Sequence, residues 1–226
     1  MILKEFNLNN KQMNQFSLYS KFLVSENKKY NLTSITDEEE IYIKHFYDSL
    51  KLVDVVNFKN VETFCDIGSG AGFPAIPLKI MFPNLKITII EPTLKRCKFL
   101  EELTNLLELE NVEIINDRSE NIKDIHRDYF DVVSARAVAA LPILLELTIP
   151  YVKVNGSFLA LKGSSYQEEL DLSKTAITKL DIVVRDIYNY ELPNDLGKRV
   201  VINFLKKIKT NIKYPRNYAT IKKKHL

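Results

Sequence analysis

Tryptophan is absent from this 226-residue chain, and cysteine, histidine and glycine are scarce, at two, three and six residues. Cys65 and Cys97 stand alone, without a CxxC spacing or a His-rich ligand set beside them. That excludes a disulfide framework and a structural zinc site, and makes both cysteines packing groups in a reduced, cytoplasmic setting. Long apolar runs are missing as well. The most apolar stretch, "VAALPILLELTIPYV", is interrupted by Glu146 and two prolines, so no membrane span is expected. The opening "MILKEFNLNNKQMNQF" has no apolar core of the kind a secretory signal needs. Few glycines and only eight prolines argue against long disordered segments. Internal repeats, low-complexity runs and Pro/Gly/Ser linkers are also lacking.

Acidic residues are missing from one region in particular. Eight of the 32 Lys and Arg lie at or after residue 206, and none of the 29 Asp and Glu does. The first 205 residues therefore hold 24 basic against 29 acidic side chains, a net charge of −5, and the positive charge sits in the tail. Such a tail is either a solvated end or a phosphate-seeking arm.

What is present has a clear rhythm. Met13, Phe16, Tyr19, Phe22 and Leu23 recur at helical intervals. After the loop "ENKKYNLTSI", Thr36 and Glu39 form a capping box for a second helix with the apolar stripe Tyr42, Phe46, Leu50 and Val53. From residue 61 short β-branched runs alternate with helical segments: "VETFCDIG", "KITIIEP", "VEIINDRS", "FDVVSARA" and "GSFLALKG". This predicts parallel strands joined by right-handed crossovers. "DIVVRDIYNYELP" and "GKRVVINFLKK" flank a turn and predict a closing antiparallel hairpin. The expected architecture is an α/β, mostly parallel seven-stranded sheet. Within a single structural domain it divides into an N-terminal helical extension packed on the core (1–60), the core itself (61–206) and a basic tail (207–226).

Half of the six glycines fall in "CDIGSGAGFPAIP", between a strand and a helix. Gly68, Gly70 and Gly72 bare the backbone for close approach of a ligand, and Pro74 suits the first helical turn. No GxxxxGK[ST] is present, and the dinucleotide pattern GxGxxG fails at Phe73. Asp66, just ahead of the turn, repels a pyrophosphate but accepts from an ammonium. Glu91, at the end of the second strand, can take both hydroxyls of a ribose. S-adenosylmethionine has the ammonium and the ribose but no phosphate, so it is the favoured ligand, with a nicotinamide cofactor as the weaker alternative.

"YNLTSITDEEEIYIKHFYDSL", "DIGSGAGFPAIPL", "KRCKFLEEL", "SARAVA", "ALKG" and "YPRNYATIKKKHL" together resemble the bacterial ribosomal RNA small-subunit methyltransferase G family, also called glucose-inhibited division protein B. The resemblance runs from about Tyr30 to the C-terminus. It implies a Rossmann-like class I methyltransferase that moves a methyl group from S-adenosylmethionine to N7 of one guanine in 16S rRNA. It further implies that Gly68 and Phe73 line the methionine and ribose side of the cofactor, that Ser119 and Glu120 flank the adenine, and that Arg136 sits beside cofactor and guanine.

The chemistry agrees with this resemblance. Guanine N7 has a lone pair and no proton, so no general base is needed, and no Ser/His/Asp or Cys/His set is found. Arg136 and Lys162 are positioning candidates. Arg136 holds the guanine O6 or a phosphate, or else forms a structural salt bridge to an acid such as Glu120 or Asp117. RNA-contact candidates are Asn31, Thr33, His45, Ser49, Lys162, Tyr214 and Arg216, with Lys95 and Arg96 as possible phosphate contacts. The partner is 16S rRNA or the small ribosomal subunit, and the chain is expected to be a monomer away from membranes. Competing readings are a small-molecule methyltransferase, a non-catalytic RNA-binding assembly factor and, last, a nicotinamide oxidoreductase.

Overall fold

The computed structural model describes residues 2–122 and 124–226. Among them seven strands form one sheet in the order β3-β2-β1-β4-β5-β7-β6. The strands are β1 (Thr63–Ile67), β2 (Lys86–Ile90), β3 (Val112–Ile115), β4 (Phe130–Arg136), β5 (Val152–Lys162), β6 (Ile182–Glu191) and β7 (Lys198–Lys206). β1 to β5 pair in parallel, while β7 runs antiparallel between β5 and β6. β1 is buried along its whole length, as a strand covered on both faces should be. The chain leaves β1 for β2 on one side and returns to β4 on the other. That reversal opens a crevice beyond the carboxyl ends of β1 and β4.

α1 (Asn10–Tyr30) starts at a capping box in which Asn9 and Gln12 bond reciprocally. Phe16, Tyr19 and Leu23 bury its inner face. The Tyr19 hydroxyl donates to the Ala71 carbonyl at 2.5 Å, which ties α1 to the glycine turn. One apolar cluster runs from Leu3 through β1 and β2 to Val201, so packing continues across the expected boundary at residue 60.

The second helical region departs from expectation twice. Its cap is Asp37, whose carboxylate accepts from the Glu40 N–H at 2.9 Å, rather than Thr36. It is also not one regular helix. α2 (Glu38–Ile41) passes into a π-helical turn (Tyr42–Tyr47) and then α3 (Asp48–Leu50). The wider turn shifts the helical phase, and every residue from His45 to Leu50 is buried. His45 and Ser49, read from the sequence as RNA-contact candidates, are both turned inward by the phase shift.

α4 (Ala75–Met81) follows the glycine turn with Pro74 at its cap position, one residue ahead of the expected first turn. α5 (Leu94–Leu106), α6 (Leu141–Thr148), α7 (Tyr166–Leu172) and α8 (Lys174–Lys179) cover the sheet, and α9 (Tyr218–Lys223) lies in the tail. The tail is fastened to the core. Arg127 donates to the carbonyls of Thr210, Asn211 and Tyr214. Arg216 makes a two-pronged bond to the fully buried Glu146 at 2.8 and 2.7 Å. Lys206, counted above with the tail, ends β7 fully buried against Asp128 and the carbonyls of Ile149 and Val152.

Candidate functional site

Two cavities meet at the carboxyl ends of the strands. The smaller, about 250 Å³, is lined by Gly68, Glu91, Arg96, Arg118, Ser119, Glu120 and Tyr218. The larger, about 580 Å³, is lined by Asp48, Arg136, Lys162, Glu169, Tyr190 and Arg199. Ala137, Val138 and Ala139 line both, as a shared wall just after β4.

Of the glycine turn, Gly68 lines the smaller cavity, whereas Gly70 and Gly72, expected as cofactor contacts, line neither cavity. Gly68, Gly70 and Gly72 all have positive φ, at 74°, 61° and 101°. A Cβ on Gly68 would come within 2.5 Å of the Val138 side chain, so the turn and the shared wall touch. The Gly70 N–H donates to Glu91 Oε2 at 3.0 Å, and the Thr93 N–H to Oε1 at 2.9 Å. Gly72 faces inward instead, where a Cβ would meet Ile76, Tyr19 and Leu100.

Asp66 lies beneath the turn, fully buried at the end of β1. Its Oδ1 accepts from the Ser134 hydroxyl at 2.6 Å, and Oδ2 has no hydrogen-bond partner among the described residues. Burial pushes its pKa up to about 7, against the opposing pull of Ser134 and the Arg136 charge.

The cations near the small cavity are both paired. Arg96 stands 3.7 Å from Glu91, and Arg118 bonds Glu120 at 2.6 Å while its guanidinium lies 4.2 Å from the Tyr218 ring centre. A cradle for phosphates would need such charges free. Bared backbone, a carboxylate at a strand tip, an aromatic wall and an unpartnered buried acid fit a phosphate-free, cationic nucleoside donor. Tyr218 is an unforeseen member, since the tail was read as a solvated end or a phosphate-seeking arm and not as part of a cofactor site.

Several expected contacts lie elsewhere. Phe73 lines neither cavity. It is buried between Tyr19 and His45, stacked at 5.3 and 4.4 Å between ring centres, with the Arg136 guanidinium 5.1 Å from its own ring centre. His45 is likewise internal. Arg136 can only donate, so His45 Nδ1 accepts from it at 3.3 Å, and Nε2 carries the proton toward the Thr33 hydroxyl at 3.0 Å. Burial first, and the Arg136 charge second, lower the His45 pKa to about 3, so the ring is neutral. Ser49 is fully buried and donates to the His45 carbonyl at 2.6 Å. Asn31 is the left-handed cap of α1. Tyr214 is buried and Arg216 is committed to Glu146, so neither presents a free stacking ring or guanidinium. Among the candidates, Arg136 and Lys162 do share the large cavity.

The sequence reading missed the acid that organises that cavity. Arg136 pairs with Asp48, at 3.0 Å, and not with Glu120 or Asp117. Asp48 also accepts from the Tyr190 hydroxyl at 2.7 Å and stands 3.5 Å from Arg199. One buried carboxylate thus joins the helical extension, β4 and the hairpin. The available signal was an aspartate between the apolar stripe residues Phe46 and Leu50 in "HFYDSL", a run without another acid.

Comparison with known proteins gives the lineage. Residues 12–196 match the family described as rRNA small subunit methyltransferase G. The chain belongs to this family. It is 48% identical over 221 residues to the Ribosomal RNA small subunit methyltransferase G of Staphylococcus aureus (strain Newman), covering 96% of this chain and 92% of that relative. Solved structures agree on the fold. TYW2 of M. jannaschii, in complex with AdoMet, is 21% identical with a TM-score of 0.53, over 65% of this chain and 69% of that one. The ribosomal protein L11 methylase of Lactobacillus delbrueckii subsp. bulgaricus is 16% identical with a TM-score of 0.55, over 73% and 79%. The chain is therefore a methyltransferase of the S-adenosylmethionine-dependent, Rossmann-like class. No helix of the described residues is long and apolar enough to cross a membrane.

Proposed function

We propose that this methyltransferase acts on N7 of a guanine in 16S rRNA, free or within the small ribosomal subunit, as a cytoplasmic monomer. The observation that carries the reading is the common wall at 137–139. It separates a cavity suited to a cationic nucleoside from one edged by Arg136, Lys162 and Arg199.

S-adenosylmethionine supplies, when bound, an electrophilic methyl group on a sulfonium. Gly68, Glu91, Ser119, Glu120 and Tyr218 would hold it, with Asp66 providing counter-charge beneath the turn. In the large cavity Asp48 fixes Arg136, and His45 supports the same guanidinium from the other side. Arg136 is thereby presented toward a phosphate or O6 while leaving N7 free. N7 has a lone pair and no proton, so no side chain has to remove one. The neutral, internally bonded His45 is consistent with that. Alignment of the reacting atoms can supply most of the acceleration, since effective molarities reach on the order of 10⁵ M or more.

The test is methyl transfer from labelled S-adenosylmethionine to small subunits, to naked 16S rRNA and to a metabolite extract. Label in the RNA of either of the first two supports the proposal. Label only in the extract supports a small-molecule methyltransferase. Tight adenosylhomocysteine binding with no transfer supports an assembly factor.

A further inference from the structure

The large cavity holds two carboxylates in different states. Both oxygens of Asp48 are engaged, by Arg136 on one and by Tyr190 and Arg199 on the other. Glu169, from α7, is engaged on one oxygen only. Its Oε2 accepts from the Leu141 N–H at 2.7 Å and from Lys162 Nζ at 2.7 Å. Its Oε1 has no hydrogen-bond partner among the described residues. Lys162 also donates to the Ala139 carbonyl at 2.9 Å, which leaves the third N–H of its ammonium uncommitted. An ammonium donor and a carboxylate acceptor, each with capacity to spare, therefore stand side by side at 2.7 Å on the cavity wall. Glu169 lines the large cavity and not the small one.

Guanine offers the matching pattern. Its O6 is an acceptor, and its N1–H and N2–H₂ are donors next to it. N7 and N2 lie at nearly opposite ends of the base. A guanine that turns N7 toward the shared wall directs its N1–H and N2–H₂ edge away from that wall, into the large cavity. We infer that Glu169 Oε1 reads the N1–H and N2–H₂ edge of the target guanine while the Lys162 ammonium reads O6, which leaves Arg136 to a phosphate. This rests on the guanine-N7 reading above. Adenine fails at both contacts. Its N6 amino group would face the ammonium, donor against donor, and its bare N1 would face the carboxylate, acceptor against acceptor. Leaving such groups unpaired in a closed site is a strong source of discrimination. The base has to leave its stack to present these edges, as in other enzymes acting on a single base.

The experiment uses small subunits reconstituted with 16S rRNA carrying either guanosine or inosine at the target position. Inosine keeps N7, O6 and N1–H and lacks only the 2-amino group. Single-turnover transfer is measured for the unaltered enzyme and for Glu169→Gln, with adenosylhomocysteine affinity recorded for both. The unaltered enzyme should prefer guanosine by roughly tenfold or more, as expected for a hydrogen bond to a charged acceptor. Glu169→Gln should lower transfer to guanosine and bring the preference close to one, with adenosylhomocysteine affinity unchanged. A Glu169 that merely braces Lys162 and α6 would depress both substrates together and keep the ratio. That result would overturn the inference, as would an unaltered enzyme indifferent to the 2-amino group, or loss of both transfers to background in the variant. If the unaltered enzyme places no methyl on N7 of guanosine at all, the functional reading fails instead.

Discussion

Single residues set the charge balance of both cavities. Asp66 is held at a pKa of about 7 by burial. Its folded value lies above the ordinary carboxylate value, so the free protein gains stability from it at low pH. That gain is lost as pH rises from about 4 through about 7. A bound ammonium favours the ionised form, so binding below pH 7 has to expel a proton. Adenosylhomocysteine affinity should therefore climb close to tenfold per pH unit below 7 and level off above it, and Asp66→Asn should flatten that profile. Calorimetry across this pH range checks both. Asp48 acts in the other cavity. Asp48→Asn strips the shared counter-charge from Arg136 and Arg199. Methyl transfer should fall by one to two orders of magnitude, as for a buried charge pair that loses one partner. Adenosylhomocysteine affinity should stay within about twofold. Equal losses in both would make Asp48 a general structural support. The glycine turn, Asp66 and Glu91 were legible in the sequence because they are adjacent or sit at strand tips. Asp48, Tyr190, Arg199 and Glu169 were not, because only the folded sheet brings them together.

At the level of elements, the tail changes character. Charge pattern suggested either a solvated end or a phosphate-seeking arm. In the fold, Arg216 neutralises the fully buried Glu146, and α9 delivers Tyr218 to the wall of the small cavity. Arg216→Ala leaves a buried carboxylate unpaired and should cost about 3 kcal/mol of stability in denaturant unfolding. A loss below about 1 kcal/mol would show that water reaches Glu146. Deleting residues 214–226 should weaken adenosylhomocysteine binding as well as RNA binding. A tail that touched RNA alone would leave adenosylhomocysteine affinity unchanged. The π-helical turn at Tyr42–Tyr47 teaches the same lesson. The sequence reading took His45 and Ser49 for RNA contacts on a regular helix. One wider turn buried both and carried Asp48 to the cleft. The strands were read far more closely, because buried parallel strands announce themselves as short β-branched runs between helical stretches.

For the whole molecule, the sheet order and closing hairpin place both cavities at one reversal of strand order, and the glycine turn marks that place in the sequence. The helical extension and the tail are packed into the same cores as the sheet. The central claim is the atom methylated. It is tested most directly by chemical strand scission at 7-methylguanine in 16S rRNA from cells with and without this protein. A single cleavage, present with the protein and absent without it, is predicted. An identical cleavage pattern in both, with labelled methyl recovered on another atom or another nucleoside, would contradict the account.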